Sequence, residues 1–146
     1  MTEDPQKHWV SVAAAILDGA DHLLAIRRRD NNQWEPPGGI LELDEEIHAG
    51  LIREVKEETG LLIAPTGLSG VYKNMKRGIV ALVFRCRVVS GKPSPSEEAA
   101  ETKFLTPAEV RELMDPAYAC RLLDALETEV SIRSHDGISL LPEEVT

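Results

Sequence analysis

The sequence has two cysteines, no long apolar run and no excess of positive charge. Cys86 and Cys120 are too few for a disulfide scaffold. The longest apolar stretch near the start, Val12 to Leu17, falls far short of the roughly 18 residues of a membrane span. The first residues, Met1-Thr-Glu-Asp-Pro5, are acidic and polar, unlike a secretory signal. Reduced thiols and a cytoplasmic location are the expectation. The net charge of −9 argues against a duplex nucleic-acid binder, which needs a basic face. What the chain does have is ordinary for a globular protein: 42% hydrophobic and 28% charged residues over 146 positions, enough for one domain.

The charge is unevenly spread. Residues 40–58 hold seven acids and two bases, whereas residues 59–90 hold five bases and no acid. The acidic window coincides with a helix signal. Ile47, Leu51 and Val55 recur every four residues, Asp44 is a candidate N-cap, acidic Glu45 and Glu46 suit a first turn, and Gly60 is a helix stop. A helix over 45–58 is predicted.

Elsewhere, Trp9–Leu17 and Leu23–Arg28 read as a β-hairpin around Asp18-Gly19. Pro36-Pro37-Gly38-Gly39 marks a loop. Strands are expected over 67–72, 79–89 and 102–105. Helices are expected from Thr106-Pro107-Ala108-Glu109 to about Met114, and again from Pro116. Val130–Arg133 and Ile138–Leu141, around Asp136-Gly137, look like a C-terminal hairpin. A lone two-stranded hairpin is marginal, so a second subunit was one expected packing surface and the body of the chain the other. No repeat or linker divides the sequence. One domain over 1–146 is predicted, of α+β class, with 1–8 flexible and 129–146 as a hairpin-like extension.

Glu54, Glu57 and Glu58 stand at i, i+3 and i+4, on one side of that helix. Like charges so placed repel, by a few tenths of a kcal/mol per pair. Glu58 also falls near the apolar stripe. Either the three form a solvated acidic face or a divalent cation neutralises them. Oxygen-only donors favour Mg²⁺, Mn²⁺ or Ca²⁺ over Zn²⁺.

The surrounding run is Gly39, five residues, Glu45, seven residues, Arg53-Glu54-Val55, one residue, Glu57-Glu58, one residue, Gly60-Leu61. This resembles the signature of the Nudix hydrolases at all nine constrained positions of a 23-residue box. The resemblance implies an α/β/α sandwich around a mixed β-sheet, with the box as a loop–helix–loop. It implies Mg²⁺, with Mn²⁺ as a substitute, and hydrolysis of a nucleoside diphosphate linked to another moiety. Carried over by position, Glu54, Glu57 and Glu58 are the metal carboxylates, with Gly39 or Gly38 offering a backbone carbonyl. Glu54, or a glutamate from a later loop, is the base; Glu98 and Glu101 are the loop candidates. Arg53 is an orienting residue paired with Glu45, or a plain structural ion pair.

For substrate contacts the candidates are Arg27 and Arg29, expected on one face of a strand with Arg28 on the other, together with Gly38, Gly39 and Trp34. Trp34 either stacks on a base or anchors its loop in the core. The expected partner is a small nucleotide, with no membrane and no duplex, and a homodimer left open. A nucleotide-sensing domain of the same fold is the alternative function; such domains commonly lose box glutamates, and none is lost here. An isoprenoid diphosphate isomerase would need a cysteine and histidines that do not match. The family's substrate markers beyond the box are absent, so nucleoside triphosphates, ADP-ribose and nucleotide sugars stay open.

Overall fold

In the computed structural model, residues 6–142 are described. The flexible segment expected at 1–8 and the end of the C-terminal extension fall partly outside them. Strand β1 (Trp9–Ile16) is apolar on both faces, as a strand covered on both sides must be. Alternate residues serve two cores. Val12, Ala14 and Ile16 pack with Leu51 and Val55 of helix α1 (Ile47–Thr59). Ala13 and Ala15 pack with Val110 of α2 (Pro107–Leu113) and Leu122 of α3 (Pro116–Leu123). The result is the expected sandwich, with α1 on one side and α2 and α3 on the other.

The strands form two sheets. The five-stranded sheet runs β4 (Gly38–Ile40), β1, β6 (Ile79–Ser90), β5 (Leu62–Asn74) and β8 (Ser131–His135). It is mixed, because β1 pairs antiparallel with β4 and parallel with β6. The three-stranded sheet runs β3 (Trp34–Glu35), β2 (Leu23–Arg28) and β7 (Ala99–Leu105).

Three expectations need correction. First, β1 and β2 are not a hairpin. A single bridge, Leu17 to Leu23, joins them before they diverge into separate sheets. Each strand's apolar residues find better partners elsewhere, β1 along β6 and β2 along β7. Second, the helix begins at Ile47, and its N-cap is Glu46 without a side-chain cap bond, not Asp44. Glu45 lies outside the helix because Arg53 holds its carboxylate (below). Third, the C-terminal segment is not a free hairpin. β8 adds in parallel to the edge of β5, and only one bridge, His135 to Leu140, joins it to the residues after Asp136-Gly137.

That docking has a buried lock. Asp124, in the turn after α3, accepts the Tyr72 hydroxyl at 2.7 Å. It also accepts both forks of Arg133 from β8, at 2.8 and 2.9 Å. These bonds dock the segment within its own chain, while Ile132 and Ile138 on it stay exposed. The expected α2 start holds: Thr106 and Glu109 form a reciprocal capping box, with Pro107 in the first turn.

Candidate active site

The box folds back on itself because its glycines allow it. β4 lies so close to β1 that a Cβ on Gly38 would sit 2.1 Å from the Val12 carbonyl oxygen. A Cβ on Gly39 would sit 2.5 to 2.7 Å from the Glu54 carboxyl group. The strand thus runs directly over the carboxylates of α1. Gly60 ends the helix in the left-handed region at φ 79°.

Helix periodicity then sorts the glutamates. Leu51 and Val55 are fully buried, whereas Ile47, one turn earlier, is 42% exposed. Glu58 continues the buried stripe at 3% exposure, and its carboxylate accepts the Gly38 N–H at 2.7 Å. Burial pushes Glu58 up to about 8, against the pull of that hydrogen bond, with Glu35, Glu54 and Glu98 adding repulsion. Burial likewise raises Glu54; Arg53 opposes the shift, while Glu57 and Glu98 add to it. Glu57 faces outward.

Arg53 is the hub of the box. It donates to both oxygens of Glu45, at 2.9 and 2.8 Å, and pairs with Glu54 at 3.1 Å and Glu57 at 3.2 Å. Glu45 also accepts the Glu42 N–H, and Arg53 with this bond holds its carboxyl down to about 2. Arg53 therefore aims the carboxylates.

The two loop candidates part company. Glu101 lies opposite Arg27 in the β2–β7 ladder and pairs with it at 3.3 Å, away from the box. Glu98 acts electrostatically on both Glu54 and Glu58. Its segment is pinned by Arg29, whose backbone N–H donates to the Glu98 carbonyl and whose Nε donates to the Ser96 carbonyl.

A cavity of about 250 Å³ opens beside Gly38 and Gly39 and continues into a groove of about 520 Å³. Both are lined by Arg28, Glu35, Asn74, Arg77 and Tyr118, and the inner one also by Arg121. Ligand pockets span roughly 300–1,000 Å³. Gly38 and Gly39 stand where expected. Arg27 and Arg29 do not line the cavity: Arg27 is spent on Glu101 and Asn32, and Arg29 on Ser96. Alternation puts Arg28 on the cavity side instead, paired with Asp30 and Glu35. Trp34 packs against the core cluster.

Sequence reasoning missed Glu35, Asn74, Tyr118 and Arg121. One signal was available: Tyr118 and Arg121 stand three apart on a helix whose other positions are mostly apolar, sharing one face.

The donor set can be tested for a divalent cation. Glu54, Glu57 and Glu58 offer oxygens from one helix, and burial, with repulsion from neighbouring glutamates added, raises Glu54 and Glu58, a charge problem that a cation would relieve. Among the described residues no three acidic, histidine or cysteine side chains already stand at ligating spacing. Arg53 draws Glu54 and Glu57 to itself, so the fit requires both carboxylates to turn from it; Glu57, 56% exposed, rotates freely, whereas Glu54, 13% exposed beneath Gly39, has little room and must be met nearly where it stands.

The chain is similar to known proteins. A relative from Streptomyces ambofaciens, a "MutT-like protein", is 52% identical over 139 residues, covering 94% of this chain and 90% of its own. An "ADP-ribose pyrophosphatase" of Methanocaldococcus jannaschii is 31% identical over 104 residues, covering 66% and 62%. A Nudix hydrolase structure from Nitrosomonas europaea superposes with a TM-score of 0.77 at 19% identity, covering 92% of this chain and 83% of that one. The model of the NUDIX domain family matches residues 7–124, which take in the entire box and the cavity beside it. With its Gly-Gly strand laid over the glutamates of α1, this chain belongs to the Nudix hydrolase family.

Proposed function

We propose that the chain is a Mg²⁺-dependent hydrolase that cleaves a phosphoanhydride bond in a nucleoside diphosphate linked to another moiety. The carrying observation is that Gly38 and Gly39, which line a cavity also lined by Arg28, Arg77 and Arg121, lie directly against the carboxyl groups of Glu58 and Glu54. An acidic helix repels a polyanionic substrate unless cations stand between them. A bound Mg²⁺ would supply that neutralisation, orient phosphate oxygens and acidify water. Nudix hydrolases as a family use divalent ions, which agrees with this reading.

The chain's own residues then divide the work. Glu57 and Glu58 would hold the cation at the box, with Glu58 fixed in place by the Gly38 N–H. Glu54, beneath Gly39, or Glu98, on the segment tied down by Arg29, takes the proton of the attacking water. Arg53 keeps Glu45, Glu54 and Glu57 in register. The half-enclosed cavity holds the rest of the nucleotide. The buried free thiols Cys86 and Cys120, raised by burial to about 12 and about 11, agree with a reducing, cytosolic setting and take no part in catalysis.

The test is a panel of nucleoside triphosphates, ADP-ribose and nucleotide sugars incubated with Mg²⁺, with products identified by mass. At least one compound is cleaved, and Glu57→Gln abolishes the cleavage. If none is cleaved, or Glu57→Gln cleaves as well as the parent, the proposal is wrong.

A further inference from the structure

Arg121 is the least satisfied cation among the described residues. Its Nε is enclosed and has no hydrogen-bond partner. Burial pulls it below the usual arginine range. No carboxylate of the described residues hydrogen-bonds to it; instead its guanidinium lies over the rings of Tyr118, at 4.8 Å, and Tyr72, at 5.6 Å. Among the described residues, its one contact within hydrogen-bond range is His135 Nε2, at 3.3 Å from Nη2. That contact is a poor one. His135 Nδ1 accepts the Gly137 N–H at 2.9 Å, so a neutral ring carries its proton on Nε2 and meets Arg121 donor to donor. Stacking, not an acceptor, fixes this guanidinium in the cavity wall, and since Nε is sealed, the donors it offers a ligand are those of its Nη atoms, which no carboxylate of the described residues engages.

The cavity that Arg121 lines also holds Glu35, whose carboxylate is buried enough to be raised despite Arg28. Arg28 already serves Asp30 and Glu35. Arg121 therefore offers donors and Glu35 offers acceptors within one small space. A phosphate group suits Arg121 but is repelled by Glu35. What suits both is a flat group carrying an acceptor next to hydrogen-bond donors.

From this arrangement we infer that Arg121 and Glu35 read the base of the substrate and select guanine. Arg121 donates to the guanine O6, and Glu35 accepts from N1–H and the 2-amino group. Arginine is the usual partner of that base's acceptor edge. Adenine turns an amino group toward Arg121 and offers Glu35 fewer donors; uracil supplies one donor where guanine supplies two. The inference rests on the same site being a nucleotide hydrolase and names the nucleotide it takes.

The test separates binding from turnover. Calorimetric titration of the full chain, without divalent metal, compares GMP, AMP, UMP and CMP. GMP binds about tenfold or more tighter than the others, the size expected of a two-bond base contact. Arg121→Ala removes the preference, and in Mg²⁺ it raises KM for dGTP relative to dATP, the loss being carried by KM. Glu35→Gln, which keeps the arginine and the side-chain volume, also erodes the preference and decides the matter if Arg121→Ala melts early. Glu57→Gln retains the GMP preference while losing hydrolysis, so failure of the hydrolase reading shows separately. AMP or UMP binding as tightly as GMP overturns the inference, as does a guanine preference that survives Glu35→Gln and Arg121→Ala.

Discussion

Gly38 and Gly39 are neighbours in sequence, yet alanine at each should fail in a different way. Neither has positive φ, so alanine meets no backbone strain and only the added methyl matters. At Gly38 the methyl would stand 2.1 Å from the Val12 oxygen and 2.7 Å from the Ala13 Cα. Both obstacles are backbone of β1, so relief requires β4 to leave β1 and Gly38 to release Glu58. Overpacking costs typically 1–3 kcal/mol, and with no rotamer to yield Gly38→Ala should cost about 3 kcal/mol. For a domain near this size that lowers Tm by roughly 6–12 °C. At Gly39 every close atom belongs to the Glu54 carboxyl, the end of a flexible side chain. A forced rotamer costs roughly 0.5–1.5 kcal/mol, so Tm falls by less than about 6 °C. Hydrolysis, however, should drop about a hundredfold, because misplacing a reacting group by an ångström has that effect. Scanning calorimetry and steady-state rates on both variants check this. Equal loss of stability in the two, or full activity in a well-folded Gly39→Ala, refutes the steric reasoning.

Other consequences follow from the same contacts. Asp124→Asn cannot serve Tyr72 and both forks of Arg133, and should cost about 2–3 kcal/mol in urea unfolding; Tyr72→Phe should cost about 1 kcal/mol and add little in the double variant. Thr106→Ala removes the α2 cap and should cost about 1 kcal/mol by the same assay. Burial, with Arg121 beside it and Asp136 opposing, depresses His135 below 6.5 in the folded chain. The unfolded chain binds the proton first, so the stability that the neutral ring contributes is complete above about pH 6.5 and lost as pH falls. Melting from about pH 7 to pH 5 should therefore fall more steeply for the parent than for His135→Asn; parallel curves would contradict the assignment.

Local features were legible in the sequence, and the pairing of distant ones was not. The α1 periodicity located Leu51 and Val55 in the core, and it also flagged Glu58 as an acid where an apolar residue belonged. The capping box at Thr106 was readable because all its atoms lie within four residues. The β1–β2 hairpin failed because a turn signal says nothing of which sheet each strand joins, and non-local partners along β6 and β7 decided that. At the box, it was the resemblance to the Nudix signature that implied a pair between Arg53 and Glu45, and the two are hydrogen-bonded in the structure. Beyond the box, Glu98 and Glu101 could not be told apart in the sequence, because the Arg27–Glu101 pair depends on the non-local β2–β7 register. The cavity arginine was hidden for a similar reason. Arg121 and Glu35 line one cavity although some eighty-six residues separate them in sequence.

The central claim is that the glutamates of α1 direct water, with Mg²⁺, onto a nucleotide phosphoanhydride. The most direct test is hydrolysis of a cleaved nucleotide in ¹⁸O-labelled water, with mass analysis of both products. The account predicts one labelled oxygen on a single phosphoryl product, formed only with divalent metal and lost in Glu57→Gln. Label absent from the phosphoryl products, or label incorporated equally in the presence of a chelator and in Glu57→Gln, would contradict it.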